Sequence, residues 1–566
     1  MRSVGNKVWN YKQIDEKKAK DIRDKLGISR FLARILSTLN IDNIDDVSKF
    51  LKPKIEYLND PFLLNDMDVC VDRIIKAVDN KEKIVIFGDY DVDGITSTAL
   101  LYDFLTKIGG DVDYYIPNRI DEGYGLSKKS VDNALDLNPK LIVTVDCGIT
   151  ALEEVDYIKS NNVDIIITDH HECMESLPNA YGVINPTRVD STYPFRYLAG
   201  VGVALKVIMA LCKKRNLQDY YLNYMDVVAL GTVADVVNLT GENRVIVRYG
   251  LKKMMKMPNL GLEKLIFESG LKGKKITTTS VGFVLAPRLN AAGRLFDAKK
   301  CVILLTTQNE NEASKIAYML QQENKLRQQK EQEILEQAIQ KIESKCQKDD
   351  KVIVVSGENW HKGVIGIVAS RIVDKYFKPC IVFTIKDGIA DGSARSIKDF
   401  DMYSAISSCK DILLKFGGHE MAAGLALNVD QIDNLRQRLN KYADEKLKDE
   451  EIKQTIDITM QLESNELTMD NAKRLEHLKP FGTGNPSPIF ACHNIKVSNV
   501  QTIGQDKHLK LNLGEQYVDA LVFNRGELIE KININDYIDV AFELNRNIWN
   551  DRENLQMIVK DLKLKN

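Results

Sequence analysis

The sequence predicts a multidomain α/β protein: a doubly wound parallel-sheet domain, a long connecting helix, a second α/β domain and a small C-terminal β-barrel. Three observations carry this expectation. Between residues 83 and 171 the apolar runs KIVIF, LIVTVD and VDIIITDHH alternate with helical segments. Residues 309–347 contain neither proline nor glycine and are rich in Gln, Glu, Lys and Leu. From residue 455 onward, strands such as HLKLNL, YVDALVF and DYIDVAFEL alternate apolar with polar positions.

At 566 residues the chain is too long for one hydrophobic core, because single cores stop growing beyond roughly 250–300 residues. With 44% hydrophobic and 28% charged residues it has the composition of an ordinary globular protein. A formal net charge of −2 excludes a uniformly basic nucleic-acid binder, so any DNA or RNA track must be a local patch. The nine cysteines form no CxxC pair, which fits reduced thiols better than a disulfide framework or a zinc site. No run approaches the roughly 18 apolar residues of a membrane span. The first twenty residues hold no apolar targeting segment, and the reading is a cytoplasmic protein.

Taken in order, residues 1–75 read as short helices, with apolar positions at helical spacing in RFLARILSTL. Residues 76–308 form the doubly wound domain. Its strands lack polar alternation, as strands buried on both faces of a parallel sheet must, and helices dominate from 199 onward. Residues 309–347 make a solvated connecting helix. A second α/β pattern begins at KVIVVSG and fills 348–450. Residues 451–566 complete the β-barrel.

The segment GDYDVDG places Asp89, Asp91 and Asp93 on alternate positions, like the opening of a calcium-binding EF-hand loop. That loop requires a bidentate carboxylate at its twelfth position and helices on both sides. Here the twelfth position is Leu100 and a strand precedes the loop, which excludes it. A strand, an acidic loop and a helix at the carboxyl edge of a parallel sheet is instead where open α/β folds build sites. The next strands end at Asp146 and at Asp169, His170 and His171, and Asp235 ends the helical run VVALGTVAD. One strand-end aspartate is most often a helix cap. So many acids at one edge repel each other unless cations lie among them. Carboxylates with imidazoles and no thiolate suit Mn²⁺ or Mg²⁺. Their number suits two ions about 3.5–4 Å apart, which clamp an in-line displacement at phosphorus. The expected reaction is phosphodiester or phosphoanhydride hydrolysis. AGVGVALK, residues 199–206, lacks the GK[ST] ending of a phosphate loop, and its small residues let helices pack closely.

GDYDVDG, VDCG, TDHH and ALGTVADVV resemble, in order, the motifs of the DHH phosphoesterase superfamily, and FGGHEMAAG resembles that of its DHH-associated domain. With PNRIDEGYGL, APRLNAAGR, WHKGVIGIVASR, GSARS and PFGTGNP, the chain is similar to the RecJ family of bacterial single-stranded-DNA-specific exonucleases. The resemblance implies a DHH catalytic domain over 76–308 with 1–75 packed on it, a DHH-associated substrate-binding domain over 348–450, and an oligonucleotide-binding (OB-type) barrel over 451–566. It implies 5′-to-3′ hydrolysis of single-stranded DNA to mononucleotides in recombination and repair, with two Mn²⁺ or Mg²⁺ ions. The implied ligands are Asp91, Asp93, Asp146, His170 and Asp235, with Asp146 bridging. His171 is placed on the scissile phosphate or in a metal shell, and Asp89 as a ligand or as a base orienting water.

Ser393 and Arg395 read as part of a small-residue turn in which a guanidinium and backbone N–H groups hold a terminal phosphate; an inter-domain ion pair is the alternative. The resemblance places the 5′-end pocket there, with Arg119 and Arg288 as further phosphate contacts. His419, in the glycine-rich FGGHEMAAG, is a phosphate donor unless those glycines serve only tight packing, and His361 is a weaker candidate. In the barrel, Phe481, Phe490, Phe523 and Trp549 are candidate base-stacking residues, with Lys507 and Lys510 reaching the backbone. The implied partners are single-stranded DNA with a free 5′ end, a RecQ-type helicase and a single-stranded-DNA-binding protein, and no membrane. Two alternatives are a DHH phosphodiesterase for oligoribonucleotides or cyclic dinucleotides, and a non-catalytic DNA-binding replication scaffold.

Overall fold

The computed structural model describes residues 2–3, 7–118, 122, 125–295, 297–344, 349–447, 454–549 and 552–564. The chain forms two compact units, one of Pro53–Glu333 with Pro480–Asn485, the other of Met1–Lys52, Ile334–Lys479 and Pro486–Asn566.

The first unit is built on five parallel strands, β1 (Lys83–Gly88), β2 (Asp111–Tyr115), β3 (Leu141–Val145), β4 (Asp164–Thr168) and β5 (Gly182–Ile184). Their order across the sheet is β2-β1-β3-β4-β5. Strand faces alternate, and both faces are covered: Ile84, Ile86, Val143 and Val145 point into one core, Val85, Phe87 and Ile142 into another. Each such side chain contributes roughly 1.5–3 kcal/mol on burial, which is why these runs carry no polar alternation. Helices α1 (Val92–Lys107), α2 (Gly200–Arg215) and α3 (Met225–Ala234) supply much of the first core. From β1 the chain goes first to β2 on one side and then crosses to β3 on the other. The carboxyl ends of β1 and β3 therefore flank a topological switch point, where open sheets leave a crevice.

In the second unit a five-stranded sheet runs in the order Lys415–His419, Ala422–Asn428, Ile389–Arg395, Cys380–Lys386 and Ile353–Glu358. Ser393 and Arg395 thus lie on a strand and not in a turn. The GSAR run lacks β-branched residues, so its strand character comes from its two neighbours: Arg395 pairs with Cys380 on one side and Ala422 on the other. The strands Phe490–Ile503, His508–Leu513, Val518–Val522, Arg552–Leu564 and Tyr537–Trp549 close into a barrel, each pairing with the next and the last with the first. The helix Glu310–Ser344 is continuous for 35 residues and contributes to both units.

Residues before Pro53 depart from expectation, since they belong with the barrel and not with the DHH-type sheet. Val8–Tyr11 is a strand parallel to Thr455–Ile458, Trp9 Nε1 donates to Asp561 at 2.7 Å, and Phe31 stacks on Phe490 at 5.8 Å. A four-residue strand has too few positions to show a period, and only its distant partner defines it. Among the described residues no helix is long and apolar enough to cross a membrane.

Candidate active site

Three sequence signals converge at the β1/β3 crevice. After β1 the chain turns directly into α1, whose N-cap is Asp91: its Oδ1 accepts from Asp93 N at 2.9 Å and Gly94 N at 3.0 Å. The alternate spacing in GDYDVDG suggests an extended turn with Asp91 and Asp93 on one side and Val92 towards the core, and that turn is absent. Helix-capping energetics of about 1 kcal/mol favour the tight turn, and Asp93 reaches the crevice from the first helical turn. Gly94 permits this closure, because a Cβ there would lie 2.5 Å from Asp89 O. Val92 is buried, as expected.

Asp93 is 1% exposed. Its two oxygens accept from Gly200 N at 2.6 Å and Val201 N at 2.8 Å, so the amino end of α2 holds it by unpaired N–H groups and favourable dipole. The AGVG segment thus does more than pack helices. A Cβ on Gly200 would stand 2.6 Å from Asp146 Oδ1, so the glycine makes room for the second acid. Asp146 follows β3 with φ 60°, a left-handed backbone that costs a non-glycine residue roughly 1–2 kcal/mol and that clusters at functional sites.

His170 Nε2 stands among three carboxylates, 3.1 Å from Asp146 Oδ1, 3.6 Å from Asp235 Oδ2 and 3.8 Å from Asp93 Oδ2. Two overlapping groups bring their ligand atoms within 4.8 Å of one another: Asp93, His170 and Asp235, and Asp146, His170 and His171. Asp89 and Asp91 belong to neither group, although Asp89 is fully buried nearby.

The electrostatics describe a site short of positive charge. Burial and the Asp91 charge push Asp93 up to about 7. Burial, with Asp93 and Asp91, pushes Asp235 up to about 9. The same causes, with Asp235 added, hold Asp146 well above the carboxylate range. Burial and the His171 charge push His170 down to about 4, leaving a neutral imidazole. Burial opposes a charge on His171, but its bond to Asp169 prevails and raises it to about 9. His170 Nε2 and Asp235 Oδ2 are buried without a hydrogen-bond partner. Hard carboxylate oxygens with neutral imidazole, buried and mutually repelling, fit divalent Mn²⁺ or Mg²⁺.

Asp169 was expected at the strand end but given no role, and it organises the histidines. Its Oδ1 accepts from His170 N at 2.7 Å and His171 N at 3.1 Å and meets His171 Nδ1 at 2.7 Å, while Oδ2 accepts from Ile149 N at 3.0 Å. Its place directly before two histidines at a strand end was the available signal, since histidines in metal sites commonly lean on a carboxylate.

The second unit brings three other predicted residues together. His419 and Arg395 both pair with Ala422, and Ser393 pairs with Gly424. All three side chains therefore lie on one face, His419 and Arg395 two strands or roughly 10 Å apart. Gly417, Ala422 and Gly424 leave the floor between them shallow. Arg395 Nη1 donates to Ser393 Oγ at 3.2 Å. His361 caps the helix Lys362–Tyr376, its Nδ1 accepting from Gly363 N at 3.1 Å. Arg288 belongs to the other unit, where Nε donates to Gln321 at 2.7 Å. Arg119 lies outside the described residues.

Phe490 is fully buried in the core, so its stacking role fails, and Lys510 pairs with Asp519 at 3.0 Å. Phe481 belongs to the Pro480–Asn485 strap of the first unit and not to the barrel. Phe523 remains 48% exposed, edge-on to His508 at 5.3 Å. The side chain of Trp549 lies outside the described residues.

A doubly wound sheet with this acid–imidazole cluster at its switch point defines a DHH-class metal phosphoesterase. Models of the DHH family N-terminal domain, the DHHA1 domain and the RecJ OB domain match residues 83–232, 349–445 and 456–561. The single-stranded-DNA-specific exonuclease RecJ of Bacillus subtilis is 38% identical over 98% of this chain and 70% of its own length. That of Haemophilus influenzae is 33% identical over 97% and 98%. The crystal structure of Thermus thermophilus RecJ in complex with Mn²⁺ superposes with a TM-score of 0.84 at 29% identity, covering 99% of this chain and 80% of that one. The chain belongs to the RecJ family of single-stranded-DNA-specific exonucleases.

Proposed function

We propose that the protein hydrolyses single-stranded DNA from its 5′ end, releasing mononucleotides in DNA recombination and repair. The observation that carries this reading is the cluster of buried Asp93 and Asp146 with half-buried His170 and Asp235 at the β1/β3 switch point. These residues, with Asp91 as a further oxygen donor, would hold two Mn²⁺ or Mg²⁺ ions, and Asp146 is our candidate for the shared ligand. Bound divalent ions supply a nucleophile at neutral pH and neutralise charge developing on the phosphoryl oxygens.

The chain's own groups perform the rest. The N–H groups of Gly200 and Val201 fix the Asp93 carboxylate, so it need not reorganise as charge develops. Asp169 fixes His171 through Nδ1, leaving Nε2 to donate to the scissile phosphate. Asp89, buried beside the cluster, orients the attacking water. Ser393, Arg395 and His419 hold the terminal 5′ phosphate, with Arg119 and Arg288 as additional contacts. The barrel binds the trailing strand. A RecQ-type helicase and a single-stranded-DNA-binding protein are the proposed partners, and the cytoplasm the proposed compartment.

The test is end-labelled single-stranded DNA with Mn²⁺, run beside 5′-blocked, duplex and RNA substrates and a cyclic dinucleotide. Mononucleotide release confined to open 5′ ends of single-stranded DNA is expected. Equal rates on RNA or on the cyclic substrate would overturn the assignment.

A further inference from the structure

Beside the metal-ligand cluster, a cavity of about 240 Å³ shares His170 with it and is otherwise lined by Arg196, Tyr197, Val236, Asn238 and Thr483 among others. Its most unusual wall is Val236. This residue has φ 63°, a left-handed conformation that is a genuine outlier for a β-branched side chain. It also exposes 66% of its surface. Nothing in folding favours a strained valine facing open space, whereas strain of this kind is retained at ligand sites. It follows Asp235 directly, so the same turn that sends the acid to the cluster sends the valine to the cavity. Tyr197 is the second exposed apolar surface, at 49%.

The cavity is built, not incidental. Fully buried Asn243 ties two of its walls together, donating to Tyr197 O at 2.5 Å and Asn238 O at 3.0 Å. The third wall arrives from far along the chain: Leu239 N donates to Thr483 O at 2.8 Å. Gly484, at φ 73°, comes so close that a Cβ would lie 2.9 Å from Asn238 Oδ1.

We infer that this cavity takes the base of the nucleotide whose phosphate lies at the metal-ligand cluster, with Val236 and Tyr197 as its apolar faces. This rests on the nuclease reading above. Aromatic and apolar faces suit a base without reading its sequence, because every base offers a π-face. The Asn238 side chain offers an amide at the cavity edge, and Arg196, paired with Glu172 at 3.4 Å, supplies a nearby cation.

The experiment compares kcat/KM on a normal single strand and on one whose first two nucleotides are abasic, for the Mn²⁺-loaded full chain and for Val236→Gly. Glycine adopts the left-handed backbone without cost, so a merely structural role predicts unchanged or raised Tm and unchanged discrimination. The inference predicts that abasic sites cost the parent protein about tenfold, cost Val236→Gly less than about threefold, and leave Tm equal or higher. Val236→Asn, which also tolerates this backbone, should repeat the pattern. Equal abasic penalties in parent and variants would overturn the base pocket while leaving the nuclease assignment intact. No cleavage of either strand by the parent would overturn the assignment itself, and the pocket with it.

Discussion

Stripping divalent metal from this protein should make it lose stability as pH rises from 6.5 to 9, the reverse of what a buried, well-paired carboxylate produces. The sign follows from which state holds protons. Asp235, ordinarily near 3.8, is pushed up to about 9 when folded. Between those values the folded chain binds a proton that the unfolded chain has released, so the unfolding free energy falls with pH. Asp93, raised to about 7, and His171, raised to about 9, act in the same sense. His170, lowered to about 4, acts oppositely, but only below its ordinary value of 6.5. Over pH 6.5–9 the cluster therefore works in one direction. Asp235 alone titrates across about 2.5 units there, or roughly 3 kcal/mol at 1.36 kcal/mol per unit. That corresponds to roughly 5–10 °C in Tm for a unit of this size. Bound Mn²⁺ holds the ionised forms and should cancel the slope. Scanning calorimetry in EDTA and in Mn²⁺, following the transition that the metal shifts, reads both curves. A metal-free Tm that is flat or rises between pH 6.5 and 9 would refute the reasoning.

Asp146→Ala should lower cleavage at least about a hundredfold and leave binding of single-stranded DNA nearly intact in a fluorescence-anisotropy titration; more than a few per cent of residual rate would exclude the shared-ligand role. Gly200→Ala places a methyl against Asp146 Oδ1 and should weaken Mn²⁺ binding by about tenfold or more, measured by calorimetric titration. Asp169→Asn unfastens His171 and should cut kcat about 10–100-fold with little change in KM. Arg395→Ala should weaken binding of 5′-phosphorylated strands by about 10–100-fold, and an equal loss on 5′-hydroxyl strands would count against the phosphate pocket.

What could be read from sequence follows the physics of local signals. The double-sided burial of β1, β3 and β4 leaves an unbroken apolar run, and acids at successive strand ends must meet wherever those strands lie side by side. Other features escaped. Asp91 carries a cap that only the backbone geometry reveals, so its spacing from Asp93 implied an extended turn that a helix replaces. Ser393 and Arg395 sit in a run of small residues whose strand character is imposed by neighbours. Asp169 binds no substrate by position alone, and its role emerges from four hydrogen bonds to groups around it. Val8–Tyr11 and the Pro480–Asn485 strap share a harder limit: each is defined by partners hundreds of positions away, and no local pattern encodes such a meeting.

The strap has a consequence for how the enzyme comes into being. A nascent chain folds from its amino end as it leaves the ribosome, and every metal-ligand candidate has been synthesised once residue 235 emerges. The wall contributed by Thr483 and Gly484 does not yet exist at that stage. A ribosome-bound intermediate can thus assemble the charged centre long before the cavity beside it is closed, and that cavity is completed only near the end of translation. For the same reason residues 53–333 expressed alone would lack the wall that Thr483 and Gly484 contribute.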